Sequence, residues 1–287
     1  MTYSINADTV LGTVKLYISD MKRSLQFYQE VVGLQVLEQR DNAARLTADG
    51  VNTLLELEEI PNAIVSERRT TTGLYHYALL LPSREALGAA LARLIASGIH
   101  IGQADHLVSE ALYIADPDNN GIEIYADRPR SEWKKEENGD YVMASNPVDW
   151  DGLLAAADPA AAKLLPPGTI IGHIHLHING IPAARAFYNG LLGFDIVGDY
   201  TDFKALFVSA GGYHHHIGLN IWAGIGAPAP AANTTGLDYF TIVYPNQAER
   251  DTAISRLREA GAAVDESDGI IFATDPSSIR IKLAVAE

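Results

Sequence analysis

The chain repeats itself. The segment SLQFYQEVVGLQVL (24–37) matches ARAFYNGLLGFDIV (184–197), with Phe27–Tyr28 over Phe187–Tyr188 and Gly33 over Gly193, an offset of 160 residues. GLYHYALLLP (73–82) matches GLDYFTIVYP (236–245) at an offset of 163, and DPDNNGIEI (116–124) matches DPSSIRIKL (275–283) at 159. Three anchors at nearly one offset imply that a half-chain has been duplicated, and whatever fold the first half adopts the second must repeat.

Each half divides again. VKLYIS (14–19) alternates and is β-branched, so it reads as a strand. Asp20 is a plausible N-cap, a helix should run to about Val32, and Gly33 should stop it. Strands follow near QVLEQR, AARLTA and TLLELE. The second unit repeats the plan, with strand YHYALLL, helix REALGAALARLIAS closed by Gly98, and strands near HIG, ALYIAD and GIEIYA. Units three and four begin at about Ile170 and Gly236. The fold class is therefore α+β, with four βαβββ units. One such unit is too small to bury both faces of its sheet, so units should pair into curved mixed sheets with helices outside and a cavity inside. The repeat predicts a first domain of two units over 9–127, a linker over 128–168 that is partly helical at DGLLAAADPAAAKLL, and a second domain over 169–286.

Composition narrows what such a fold can do. The 287 residues are 47% hydrophobic and 20% charged, the mix of an ordinary globule, and no apolar run reaches membrane-span length. The start, MTYSINADTV, lacks the basic and apolar regions of a signal peptide, so a cytoplasmic protein is expected. There is no cysteine, which removes disulfides, thiolate metal sites and cysteine nucleophiles. With 21 basic against 36 acidic residues the net charge is −15, which disfavours nucleic acid and anionic membrane as partners. Small molecules remain.

Six of the nine histidines fall in the third unit. In IIGHIHLHI, His173, His175 and His177 alternate with Ile174, Leu176 and Ile178, so on a strand the imidazoles share one face. The aliphatic face must meet the helix, and the imidazoles point into the cavity. The repeat equates His173 with Thr13 in unit one, His76 in unit two and Tyr239 in unit four. On the last strand, Glu123 of unit two corresponds to Lys282 of unit four. Glu123 lies between Ile122 and Ile124 and also faces away from the helix layer, where an unpaired carboxylate would be costly.

Four βαβββ units with His or Glu on first and last strands resemble the vicinal oxygen chelate superfamily of glyoxalases, bleomycin-resistance proteins and extradiol dioxygenases, over almost the whole chain. GHIHLHI (172–178), AGGYHHHIGLNIW (210–222), GLYHYALLLP (73–82) and ALYIADPDNNGIEIYADRP (111–129) are similar to the type I extradiol class of bacterial catechol 2,3-dioxygenases. The resemblance implies one divalent metal held by the first and last strands of two paired units. Units one and two would offer Thr13, Glu56, His76 and Glu123; three and four, His173, Gly218, Tyr239 and Lys282; one and four, Thr13, Glu56, Tyr239 and Lys282. Units two and three offer His76, Glu123, His173 and Gly218: two histidines and one carboxylate, a set that leaves a face of iron(II) open. Known extradiol enzymes pair successive units, so a two–three site departs from them and is similar instead to single-chain, four-unit glyoxalases. Mn(II) accepts the same ligands.

The resemblance also assigns His215 as the acid–base group, Tyr113, four residues before Pro117, as a site tyrosine, and His106 as a substrate-bonding histidine. Strand parity pulls the other way for the first of these: if Gly218 faces the metal, alternation turns His214 and His216 inward, and a bulge at Tyr213–His215 would be needed to bring His215 in. The implied activity is extradiol cleavage of a small aromatic diol by O2, in a chain whose unit exchange would suit a homodimer. Two other readings stand beside it: a glyoxalase-like metal-dependent isomerase or lyase, which would want a carboxylate where Gly218 stands, and a non-catalytic small-molecule binder, which would have no use for His76, Glu123 and His173 together.

Overall fold

The computed structural model describes residues 3–157 and 163–286. Unit one comprises β1 (Val10–Ile18), α1 (Met21–Phe27), β2 (Gln35–Gln39), β3 (Ala43–Thr47) and β4 (Leu55–Glu59). Unit two comprises β5 (Gly73–Leu80), α2 (Arg84–Ser97), β6 (Gly102–Asp105), β7 (Ser109–Ala115) and β8 (Gly121–Asp127). The linker carries one short helix, α3 (Trp150–Ala155). Unit three follows as β9 (Ile170–His177), α4 (Ile181–Arg185), β10 (Asp195–Tyr200), β11 (Ala205–Ser209) and β12 (Ile217–Asn220). Unit four is β13 (Gly236–Tyr244), α5 (Gln247–Glu259), β14 (Val264–Ser267), β15 (Ile270–Thr274) and β16 (Arg280–Val285).

The repeat is visible in the caps. Asp20 accepts a bond from the Arg23 backbone N–H at 2.8 Å, and Ser83 and Asn246 cap α2 and α5 in the same way. A π-helical turn continues α1 through Tyr28–Val32 and α4 through Ala186–Leu191. Gly33 ends the first turn at φ 89°, and Gly193 takes φ 82° after the second, a backbone region that a side chain would strain. The expected helix in the linker is realised over Trp150–Ala155, and the part of DGLLAAADPAAAKLL at 158–162 lies outside the described residues.

The sheets do not follow the halves. One eight-stranded sheet runs β14-β15-β16-β13-β1-β4-β3-β2 and the other β10-β11-β12-β9-β5-β8-β7-β6. Unit one therefore joins unit four, and unit two joins unit three. The expectation that 9–127 and 169–286 each pair their own two units is corrected here. The reason is edge chemistry: the first strand of each unit is exposed on one side, and it finds the equivalent strand of the opposite half, β1 against β13 and β5 against β9, both antiparallel.

The halves are instead tied through their helices. Arg93 of α2 donates to the carbonyls of Val31 and Val32 at the end of the α1 turn, at 3.1 and 2.6 Å. Arg256 of α5 does the same to Leu191 and Gly190, at 3.0 and 2.7 Å. Each guanidinium satisfies carbonyls that a helix end leaves open. Tyr28 donates to Asp116 at 2.8 Å and Tyr188 to Asp275 at 3.0 Å. Two backbone bonds complete the pattern: the N–H of Leu165, in the linker, donates to the Gly33 carbonyl and the Ile5 N–H to the Gly193 carbonyl, both at 2.8 Å. The aliphatic faces of both sheets and the helices share one core that includes Leu16, Leu79, Leu87, Leu176, Ile242 and Leu257.

Asp275 gives this lock a pH signature. Burial pushes its carboxyl up to about 6, although the backbone N–H groups of Ile279 and Ser277 and the Tyr188 hydroxyl oppose the shift. A carboxyl that holds its proton more tightly when folded contributes stability below its unfolded value of 3.8, and that contribution is lost as pH rises through about 6. In urea titrations, the stability of the wild type relative to Asp275→Asn should fall by about 2–3 kcal/mol across that window. A constant difference would mean that Asp275 stays ionised in the fold.

Candidate metal centre

The antiparallel register of β5 and β9 sets His76 opposite His175 and Ala78 opposite His173. On the other side, parallel β8 sets Glu123 beside Ala78. Ala78 thus stands between Glu123 and His173, fully buried. Glu123 Oε2 lies 3.0 Å from Nε2 of His76 and 3.0 Å from Nε2 of His173. The three ligand atoms fall within 4.8 Å of one another, and all three residues are buried.

The His173 contact has hydrogen-bond geometry, but the His76 nitrogen, at the same distance, makes no hydrogen bond. A buried ring nitrogen this close to a carboxylate oxygen, yet without a hydrogen bond to it, suits a shared cation. Nδ1 of His173 and Nε2 of His175 are buried without partners as well. Such unpaired groups are rare in a folded interior and gather where a ligand completes them. Burial opposes the ionisation of Glu123, yet the imidazoles of His173 and His76 beside it outweigh burial and hold the carboxyl well below the usual range. Burial lowers the pKa of His76, with Glu123 pulling against it, so that ring is kept neutral. An ionised carboxylate and a neutral imidazole are the forms that ligate. Two imidazoles and one carboxylate on three adjacent strands fit a divalent transition metal with open positions.

Around this centre lie the other predicted residues. Tyr113 stands opposite Glu123 in the β7–β8 register, its ring 5.6 Å from that of His76. His106 Nε2 is 2.7 Å from the Tyr113 hydroxyl, and its Nδ1 is 2.6 Å from the Ala144 carbonyl. A carbonyl only accepts, so Nδ1 carries the proton, and in the neutral ring Nε2 accepts from Tyr113. His215 packs against His173 with ring centroids 4.2 Å apart and against Phe207 at 4.8 Å. The parity conflict dissolves because β12 begins only at Ile217, so alternation does not extend back through the three histidines. His216 turns aside, bonded through Nδ1 to Ser209 Oγ at 2.9 Å. Gly218 faces His175, and a side chain there would collide with that ring and with Phe207.

Several neighbours were not foreseen. Tyr125 and Asp127 sit on the face of β8 that carries Glu123, and the same period-two alternation could have found them. The Tyr125 hydroxyl meets that of Tyr213 at 2.7 Å, and Asp127 accepts from His214 at 2.9 Å. Asn220 accepts from His177 at 2.6 Å. The linker, read as a mere connection, supplies Trp133 against His214 and the Ala144 carbonyl to His106. A cavity of about 210 Å³ opens beside the centre, lined in part by Arg69, His76, Tyr113 and His177.

The equivalent face of the other sheet is chemically different. Glu56 accepts from the Tyr239 hydroxyl at 2.9 Å, Lys15 pairs with Glu58 at 2.6 Å, and Lys282 lies over the Tyr239 ring at 5.9 Å.

Gly172 occupies an extra position on β9, where the register skips between His173 and Ile171, and the Tyr125 hydroxyl fills the space of its missing Cβ. Gly172→Ala should destabilise by about 1–3 kcal/mol through overpacking. In a Tyr125→Phe background the penalty should shrink, and thermal melts of the four-protein cycle would measure it. Additive effects would show that the two residues do not meet.

Comparison with known proteins agrees with this architecture. The family model for the Glyoxalase/Bleomycin resistance protein/Dioxygenase superfamily matches residues 10–124 and 170–283. The catechol-2,3-dioxygenase of Bacillus subtilis (strain 168) is 56% identical over 275 residues, covering 96% of each chain. Among solved structures, one from Bacillus subtilis subsp. subtilis str. 168 superposes with a TM-score of 0.66 at 12% identity, over 99% of this chain and 86% of that one. Glyoxalase I from Zea mays superposes with a TM-score of 0.57 at 13% identity, over 96% and 92%. The duplicated βαβββ units, the two mixed sheets and the family match over both halves together make this chain a member of the glyoxalase/bleomycin resistance/dioxygenase superfamily.

Proposed function

We propose that this protein is an extradiol ring-cleaving dioxygenase that uses a non-haem iron(II) ion on His76, Glu123 and His173 to open catechol-type aromatic diols with O2. The observation that carries the reading is the convergence of two buried imidazoles and one carboxylate around Ala78, on a chain 56% identical to a catechol-2,3-dioxygenase. The ion, when bound, supplies open coordination positions at which both diol oxygens and O2 can be brought together and electron density passed between them. The ring bond beside the diol breaks and both atoms of O2 enter the product.

The chain's own residues would position the substrate and handle protons. Tyr113, its hydroxyl proton directed to His106 Nε2, keeps oxygen lone pairs available to a substrate hydroxyl beside His76. His106 is held in that tautomer by the Ala144 carbonyl. His215, kept neutral by burial and by the histidines around it, is able to take a proton from the diol and return it as the ring opens. Phe207, Tyr75 and Trp222 pack around the His175 ring.

Protein reconstituted anaerobically with iron(II) should convert catechol, on admission of air, to a yellow semialdehyde, read by visible absorbance. Glu123→Ala should abolish tight metal binding by elemental analysis, whereas Lys282→Ala should retain it. Turnover by the manganese form alone would replace iron in this reading, and turnover only of methylglyoxal with a thiol would replace the reaction.

With metal content unchanged, His215→Ala should lower kcat by about 10²–10⁴-fold, the usual worth of a positioned proton-transfer group. Tyr113→Phe should slow turnover by a smaller factor, also without stripping metal. If His216→Ala is damaging and His215→Ala silent, the proton-handling role belongs to the other ring.

A further inference from the structure

Behind His215 stands a chain of three residues. The Asp127 carboxylate lies 2.9 Å from Nε2 of His214, and Nδ1 of His214 lies 2.8 Å from Nδ1 of His215. A carboxylate only accepts, so Nε2 of His214 carries a proton. In a neutral imidazole that leaves Nδ1 of His214 as a lone pair, and the short contact to His215 then requires the proton on Nδ1 of His215. Nε2 of His215 is left as the bare nitrogen. The order of donors along the chain follows from one charged group at its far end.

The surroundings hold the chain in place. His214 is almost fully buried, stacked at 4.1 Å on the Tyr213 ring, with Trp133 edge-on at 5.1 Å. Arg130 lies over both aromatic rings at 5.5 Å. Asp127 sits at the end of β8, two residues beyond Tyr125 and four beyond Glu123, so the strand that carries the carboxylate ligand also carries the anchor of this relay. His214 has little freedom to rotate away, and its ring cannot satisfy Asp127 and His215 in any other orientation without leaving a buried nitrogen unpaired.

We propose that Asp127 and His214 are positioning residues that hold His215 in its Nδ1–H tautomer and thereby present Nε2 as the nitrogen that takes up the substrate proton. The proposal rests on the reading of His215 given above. Without Asp127, His214 can reverse its tautomer and donate from Nδ1, which forces the proton of His215 onto Nε2 and removes the acceptor. The ligands His76, Glu123 and His173 need not change for this to happen.

The test separates tautomer from turnover. Ring nitrogens of the isotopically labelled, metal-free full-length chain would be observed by heteronuclear NMR in mildly alkaline buffer, with His215 assigned by its loss in His215→Ala. Wild type should show His215 protonated at Nδ1, Asp127→Ala should move that proton to Nε2 or to a mixture, and Asp127→Glu should restore it. In the iron-reconstituted protein, Asp127→Ala should lower kcat by about 10²-fold with metal content and KM nearly unchanged, and Asp127→Glu should recover most of it. A His215 tautomer in wild type at Nε2, or one indifferent to Asp127→Ala, would overturn the proposal. So would an altered tautomer with undiminished kcat where His215→Ala is damaging. If His215→Ala is itself silent while the tautomer responds as described, the fault lies in the role given to His215 and not in the relay.

Discussion

The antiparallel pairing of β5 with β9 decides the rest of this site. It brings the first strand of unit two against the first strand of unit three and places Ala78 opposite His173. Parallel β8 then delivers Glu123 to the other flank of Ala78. Had each half paired its own units, His76 and His173 would belong to different sheets, and no set of two histidines and a carboxylate would form. A long connection between the halves makes the exchange sterically accessible, and the unsatisfied edges of the first strands make it favourable.

The helix layer obeys the opposite rule. Arg93 and Tyr28 bind unit one to unit two, while Arg256 and Tyr188 bind unit three to unit four. Sheets join across the halves and helices join within them, so neither half is a separable body. This cross-bracing sets the spacing of strands that bear the ligands. A buried Asp–Tyr bond and an Arg clamp on helix carbonyls are directional, and they resist the sliding that a purely aliphatic interface would allow.

One scaffold therefore presents two polar faces with different chemistry. On the β5–β9 face, imidazoles surround one carboxylate, and several of their nitrogens lack partners. On the β1–β13 face, Lys15, Glu56, Glu58, Tyr239 and Asp238 satisfy one another. Among the described residues the buried imidazole nitrogens without partners, on His76, His173 and His175, lie together on the β5–β9 face, and such groups persist where something repays their cost, which marks that face as the working one. The π-helical turns and glycine stops recur in both halves because they belong to the framework.

What the amino-acid order alone determined was local. The unit starts at Ile170 and Gly236, the Asp20 cap, the Gly33 stop and the shared face of His173, His175 and His177 follow from periods and caps that act over a few residues. Those periods also put Glu123 inward, and would have done so for Tyr125 and Asp127. The choice among His214, His215 and His216 could not be made this way, because alternation has meaning only inside a strand and β12 starts at Ile217. Tertiary structure decided which units share a sheet, that linker residues Trp133 and Ala144 wall the site, and that His106 reaches Tyr113. Those outcomes depend on contacts between residues far apart in the chain, where competing pairings bury similar apolar area and only the assembled register distinguishes them.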